Sequence, residues 1–143
     1  MTSCVLDASV AAKWFLPSAA EPFSEQALQL FDRFSRGELQ FVVPDLFWPE
    51  FGNILWKAAR LGRISRASAA HSISALTQSY LITEPSRTLI SDALKIAVDF
   101  DRPVYDCVYV ALATITNAPL ITADERLLNA LGSRFPVRWL KSV

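Results

Sequence analysis

The chain has 143 residues, of which 52% are hydrophobic and 20% charged, and its formal net charge is zero. That is the size of one folded domain, expected to span residues 1–143, with ample apolar material for a core. Only four glycines and no Gly/Ser-rich tract exclude a linker or low-complexity chain. The longest apolar runs are too short for a bilayer, and the N-terminus lacks the basic region of a secretory signal. Cys4 and Cys107 have no metal-type spacing, so a reduced, cytoplasmic protein is expected. Neutrality leaves nucleic acid open as a partner, because a local basic patch binds phosphate whatever the total charge.

In chain order, Ser3 to Leu6 reads as a short buried strand. Phe23, Ala27, Leu30, Phe31 and Phe34 follow helical spacing, and Gly37 ends that helix. Gln40 to Val43 is a second strand, stopped by Pro44. Asp45 reads as the N-cap of a helix running to about Leu61, with Gly62 as its stop. Ser65 or Ser68 opens another helix, and Tyr80 to Thr83 forms a third strand. Ser86 opens a helix to about Phe100, and Pro103 fits the first turn of the next, VYDCVYVALATIT. Asn117-Ala-Pro closes it, LIT is a fourth strand, ADERLLNAL a last short helix, and PVRWL fits an edge strand. Short strands alternating with longer helices imply a parallel sheet covered on both faces. Sites in such sheets form beyond the carboxyl ends of the strands.

That rule directs attention to four carboxylates in apolar surroundings: Asp7 in VLDAS, Glu50 in FWPEFGNIL, Asp106 in VYDCVYVALA and Asp124 in LITADERL. Asp7 and Asp124 each follow a strand at the same sheet edge, while Asp106 and Glu50 lie near the starts of helices. Singly, each has an ordinary explanation: Asp7 and Asp124 as helix caps, Asp106 as an acid in a first turn, Glu50 as an exposed helix residue. Together they would repel one another, since unit charges about 4 Å apart at an effective dielectric of about 20 interact by about 4 kcal/mol. Such a cluster gains protons or binds cations. Oxygen ligands without His or Cys favour Mg²⁺ or Mn²⁺ over zinc, and the single histidine, His71, is remote from all four motifs. A divalent ion so held lowers the pKa of bound water against a phosphodiester. Ser9 and Thr122 are placed to hydrogen-bond a carboxylate, a metal-bound water or a phosphate. Asn53, one turn after Glu50, shares its helix face.

The motifs VLDASVAAKWFLP, PDLFWPEFGNIL, YDCVYVALA and LITADERL, in this order, resemble those of PIN-domain ribonucleases, in particular the VapC-like toxins of VapBC toxin–antitoxin pairs. The resemblance implies a three-layer α/β/α sandwich with a central, mainly parallel sheet and an acidic pocket. Asp7, Glu50, Asp106 and Asp124 fall on the family's acidic positions, and Ser9 and Thr122 on its hydroxyl positions. It further implies Mg²⁺- or Mn²⁺-dependent cleavage of RNA to a 3′-hydroxyl and a 5′-phosphate, a homodimer, and a cognate antitoxin whose tail fills the acidic groove.

RNA held at an acidic site needs positive charge beside it. Lys57, Arg60, Arg63 and Arg66 crowd the segment WKAARLGRISR, and Lys13 follows the first motif. They are either phosphate contacts or a solvated helix end favoured by the helix dipole. Trp14, Phe15, Trp48 and Trp56 read more readily as core or interface residues than as stacking platforms. Two rivals to a nuclease stand: a catalytically silent PIN-like binding scaffold, and a Mg²⁺-binding phosphoacceptor domain. The phosphoacceptor reading is weakened by an acid in LITAD where such domains place a lysine. DNA cleavage ranks below RNA because no long insertion is present to form a threading arch.

Overall fold

The computed structural model of the chain describes residues 2–143. Its first strand, β1 (Thr2–Leu6), runs through the short helix α1 (Ala8–Ala12) and a 3₁₀ turn at Ser18–Ala20 into α2 (Ser24–Ser35) and β2 (Leu39–Pro44). A helical pair follows, α3 (Phe47–Arg60) and α4 (Arg66–Thr77), then β3 (Ile82–Glu84), α5 (Ile90–Phe100) and α6 (Val104–Thr116). The chain closes with β4 (Leu120–Thr122), α7 (Glu125–Leu131) and β5 (Val137–Trp139). Every strand pair is parallel, in the order β3-β2-β1-β4-β5, so the layered α/β/α arrangement expected from the alternation is realised with a wholly parallel sheet. β1 lies at the centre, Val5 opposite both Val42 and Leu120. A central strand covered on both faces has no polar side, and Val5 and Leu6 are fully buried.

The helices join this core through apolar faces. Phe47, Phe51, Leu55 and Ala58 repeat at helical spacing along α3 and are all buried, with Phe47 and Phe51 rings stacked at 5.9 Å. Pro49 is accommodated because a first-turn residue has no intrahelical acceptor for its N–H. α6 is apolar all round, with Cys107 to Ala113 buried without a break, as suits a helix covered by α5 on one side and the sheet on the other. Asn117, at φ 53° and ψ 39°, ends it in the left-handed conformation that asparagine tolerates.

Several expected boundaries move for local reasons. Asp45 does not cap α3: Leu46 holds that position with no side-chain bond, and the Asp45 carboxylate instead accepts from Ser86 N–H at 3.1 Å, tying the loop after β2 to the loop after β3. Ser86 opens only a 3₁₀ turn, closed by Leu89 N–H to Ser86 C=O at 2.9 Å, and α5 begins at Ile90. The third strand starts two residues late because Leu81 N–H bonds back to Ser79 C=O. Pro103 stands just outside α6 as its N-cap. Ser65 is the cap of α4, accepting from Ser68 N–H at 3.0 Å.

Lys13, at the end of α1, is buried and reaches Glu21 at 3.4 Å, and Glu21 also takes Arg63 at 2.9 Å. Removing the shared anion leaves a buried ammonium without its partner. Glu21→Ala is therefore expected to cost about 3 kcal/mol in urea unfolding. A loss under about 0.5 kcal/mol, the level of an ordinary surface change, would show that the bridge contributes nothing.

Candidate active site

The site begins where the central strands stop. Asp7 directly follows Leu6 and caps α1, its Oδ1 accepting Ser9 N–H at 3.2 Å. From the neighbouring strand end, fully buried Thr122 donates its hydroxyl to Asp7 Oδ2 at 3.4 Å while accepting Asp124 N–H at 3.0 Å. One hydroxyl thus links the two strand-end aspartates, using its donor toward one and its lone pair toward the other. Asp124 caps α7, accepting from Arg126 N–H at 3.0 Å and Leu127 N–H at 3.3 Å. Capping and membership of an acidic site coexist at both positions.

Two helices bring the other carboxylates to this edge. Glu50 lies in the first turn of α3, and its Oε1 accepts the Tyr109 hydroxyl at 2.6 Å. Tyr109 is buried on α6 three residues beyond Asp106, so one helix presents both the third carboxylate and the donor that holds the second. Asp106 Oδ2 accepts Arg102 Nη2 at 3.2 Å, an i,i+4 pair spanning the loop into α6. Neither Tyr109 nor Arg102 was singled out from sequence. Spacing from Asp106 was their available signal, but a tyrosine inside VYVALA reads as core, and Arg102 precedes the helix. Arg102 Nε is buried with no acceptor among the described residues.

The electrostatics follow from this packing. Burial pushes the Asp7 carboxyl up to about 6, opposed by the Ser9 N–H bond and reinforced by the charges of Glu50 and Asp106. Glu50 is also raised, by burial and by Asp106, against the Tyr109 hydrogen bond. Asp106 is raised by burial and by Asp124, against Arg102. Asp7, Glu50 and Asp106 each sense at least one other carboxylate, and the charge of Asp124 acts on Asp106. Tyr109 is driven far above the usual phenol range by burial and by Asp7 and Glu50, so it stays protonated and remains a donor. Cys107, beside Asp106, is pushed up to about 11 by burial and is an inert thiol.

A cleft of about 540 Å³ opens over this edge, lined among others by Asp7, Ser9, Glu50, Asn53 and Tyr105. Asp7, Ser9, Glu50 and Asn53 therefore share one cavity. Asp106 and Asp124 join through charge, and Thr122 through its hydrogen bonds. The donor set is all hard oxygen and, with Arg102 set against four carboxylates, carries net negative charge, which suits Mg²⁺ or Mn²⁺ rather than zinc. As the side chains stand, no three His, Cys, Asp or Glu among the described residues are close enough to enclose an ion. Tyr109, Arg102 and the capping N–H groups hold the carboxylates singly, leaving Glu50 Oε2 and Asp106 Oδ1 without a protein donor among those residues.

The basic residues divide. Lys13 is buried in its bridge to Glu21 and Arg63 is bound to the same anion, so the structure ties these two into the fold. Lys57 and Arg60 are exposed on α3 with no carboxylate within 4.0 Å among the described residues. Trp14 donates to Ala27 C=O at 2.8 Å and packs on Phe31 and Phe41. Phe15 packs on Phe51, and Trp48 donates to Thr83 at 3.1 Å. These three are structural, as expected for core or interface residues. Trp56 is not.

The carboxylates that gather at the carboxyl edge of this five-stranded parallel sheet follow the first and fourth strands or lie in the first turns of α3 and α6. Residues 4–131 match the PIN domain family, and the chain belongs to it. Among known proteins it is similar to Ribonuclease VapC3 of Pyrobaculum aerophilum, 32% identical over 134 residues that make up 92% of this chain and 94% of that protein. Exonuclease VapC9 of the same organism is 30% identical over 98 residues, 68% of this chain and 72% of its own. In fold, the chain resembles PAE2754 from Pyrobaculum aerophilum, with a TM-score of 0.71 at 22% identity over 99% of this chain and 85% of that one. It also resembles VapBC2 from Rickettsia felis bound to a promoter DNA fragment, with a TM-score of 0.64 at 10% identity over 96% of this chain and 98% of that one.

Two outcomes follow from the geometry. At about pH 3 and below, Asp7 keeps its proton in folded chains and largely in unfolded ones, and burial of the carboxyl costs almost nothing. As pH rises, the unfolded chain ionises first, and the penalty grows until the folded value of about 6, reaching roughly 3 kcal/mol. Asp7→Asn retains a capping oxygen, so without divalent ions it should match the parent chain near pH 3 and exceed it in stability at pH 7. Urea unfolding at both pH values in EDTA checks this, and an equal gap at both would contradict it. Tyr109→Phe removes the donor that holds Glu50 and should weaken Mn²⁺ binding by about 10–100-fold in calorimetric titration. Unaltered Mn²⁺ affinity would leave Tyr109 a packing residue.

Proposed function

We propose that this chain is a metal-dependent endoribonuclease, the toxin of a toxin–antitoxin pair, with its whole length acting as one nuclease domain in the cytoplasm. The observation that carries the reading is the gathering of carboxylates at the sheet edge, where Asp7 is raised by burial and by Glu50 and Asp106, Glu50 by burial and by Asp106, and Asp106 by burial and by Asp124. Net negative charge of this kind is stabilised by a cation. Asp7, Glu50, Asp106 and Asp124 are the residues that would hold Mg²⁺ or Mn²⁺, and such an ion supplies an activated water and charge neutralisation at a phosphodiester. Ser9 and Thr122 keep Asp7 oriented, Tyr109 orients Glu50, and Asn53 projects into the same cleft within reach of a substrate's sugar or phosphate. Arg102 balances Asp106 and limits repulsion within the cluster. Lys57 and Arg60 remain available to phosphates outside the cleft.

The names of the VapC relatives support the nuclease chemistry, and the VapBC complex of like fold supports an antitoxin as regulatory partner. A homodimer accords with large apolar side chains left exposed on α5 and α6, namely Ile90, Leu94, Val98 and Ile115.

The test is 5′-end RNA sequencing of cells induced to express the chain, beside Asp7→Asn and Asp106→Asn controls. Growth arrest with new 5′-phosphate ends is expected, reduced by more than about 100-fold in both controls, since removing a ligand exceeds the loss from a supporting partner. Full activity in both controls would contradict the site. No cleavage together with no Mg²⁺ or Mn²⁺ binding would favour the silent scaffold.

A further inference from the structure

Trp56 is the one tryptophan whose indole the core does not claim. It is 56% exposed on α3, with the Arg60 guanidinium 4.9 Å above its ring centroid. Beside it lies a cleft of about 560 Å³ between α3 and the start of α4, lined by Trp56, Ala59, Arg60, Arg66 and Ala69. Among the described residues neither Arg60 nor Arg66 has a carboxylate within 4.0 Å. Charge is strongly segregated here. Between Glu50 and Glu84 the sequence carries Lys57, Arg60, Arg63 and Arg66 and no acidic residue, in a chain whose net charge is zero.

The cleft is also in line with the acidic site. Glu50, Asn53, Lys57 and Arg60 succeed one another at intervals of three and four residues, so they form one stripe along α3. At 1.5 Å of rise per residue, Arg60 stands about 15 Å along the helix from Glu50. The stripe begins in the carboxylate cleft and ends at an exposed indole flanked by two unpaired guanidinium groups. An aromatic face beside backbone-tracking cations is what single-stranded nucleic acid uses, because every base has a π-face and every linkage a phosphate.

We infer that the Trp56–Arg60–Arg66 cleft is a second RNA subsite, stacking an unpaired base and holding its flanking phosphates a few nucleotides from the bond cut at the acidic edge. This rests on the nuclease reading and adds to it the requirement for a single-stranded segment reaching along α3. A stacked base displaces Arg60 from the ring or sandwiches with it, and in either case the indole is covered.

The test uses a short fluorescein-labelled single-stranded RNA of mixed sequence, titrated with the full chain in EDTA and followed by anisotropy. Trp56→Ala should weaken binding by between about 5- and 100-fold, while Trp56→Phe keeps most of the affinity. The Arg60→Ala/Arg66→Ala double variant should reduce the slope of log K against log salt by about 1.4. Circular dichroism establishes that each variant is folded. Parent-like affinity and salt slope in the Trp56→Ala and double variants, with the parent binding and cutting RNA, would overturn the subsite alone. The same result with loss of antitoxin binding or self-association would overturn it in favour of a protein surface. No RNA binding or cleavage by the parent chain would overturn both the subsite and the nuclease reading.

Discussion

Negative charge at the end of a buried central strand is the constraint around which this molecule is arranged. Asp7 is deprived of water by the strands on either side and by the helix it caps, and two further carboxylates add to the cost. The surrounding chain answers with donors from four directions: a backbone N–H from α1, a hydroxyl from β4, a phenol from α6 and a guanidinium from the loop before α6. Each satisfies one oxygen of a carboxylate, and only the guanidinium brings a charge that offsets one of the negative ones. The result is a site that is stable enough to fold and still attractive to a cation, with Glu50 Oε2 and Asp106 Oδ1 left without a protein donor among the described residues.

α6 shows how tightly scaffold and chemistry are joined. Its buried run from Cys107 to Ala113 is packing material, yet within one turn it delivers Asp106 to the edge and a protonated phenol to Glu50. A substitution in this helix therefore acts twice, on the core and on the orientation of a carboxylate held by another element. α3 has a comparable division along its length, with Phe47, Phe51, Leu55 and Ala58 turned inward and Glu50, Asn53, Lys57 and Arg60 along another face.

Much of this was legible in the sequence because it depends on local rules. Alternating short strands and helices identified the parallel sheet, and strand-end logic placed Asp7 and Asp124 at one edge, where hydrogen bonds through Thr122 join them. What escaped depends on partners distant in the chain. Asp45 is well suited to cap α3 by its type and position, but Ser86 lies 41 residues away and takes its carboxylate. Lys13 and Arg63 looked like free cations because Glu21 sits in a segment without periodicity and meets Arg63 across 42 residues. Tyr109 was hidden by its surroundings, since a phenol in an apolar run signals packing until its hydroxyl is seen on Glu50. Trp56 was grouped with three tryptophan and phenylalanine residues that do pack, and only burial separates it from them.

The strand order has a consequence for the chain during its synthesis. β1 is translated first and becomes the middle of the sheet, but its neighbour on one side comes from β4, so Leu6 waits for Ile121. At about 5–20 residues per second, that interval is on the order of ten seconds. Through that time the nascent polypeptide has Asp7 and Glu50 but neither Thr122 nor Asp124, and the edge of β1 stands open. Late closure of the sheet therefore leaves the acidic edge incomplete until β4 and the residues that follow it have been made.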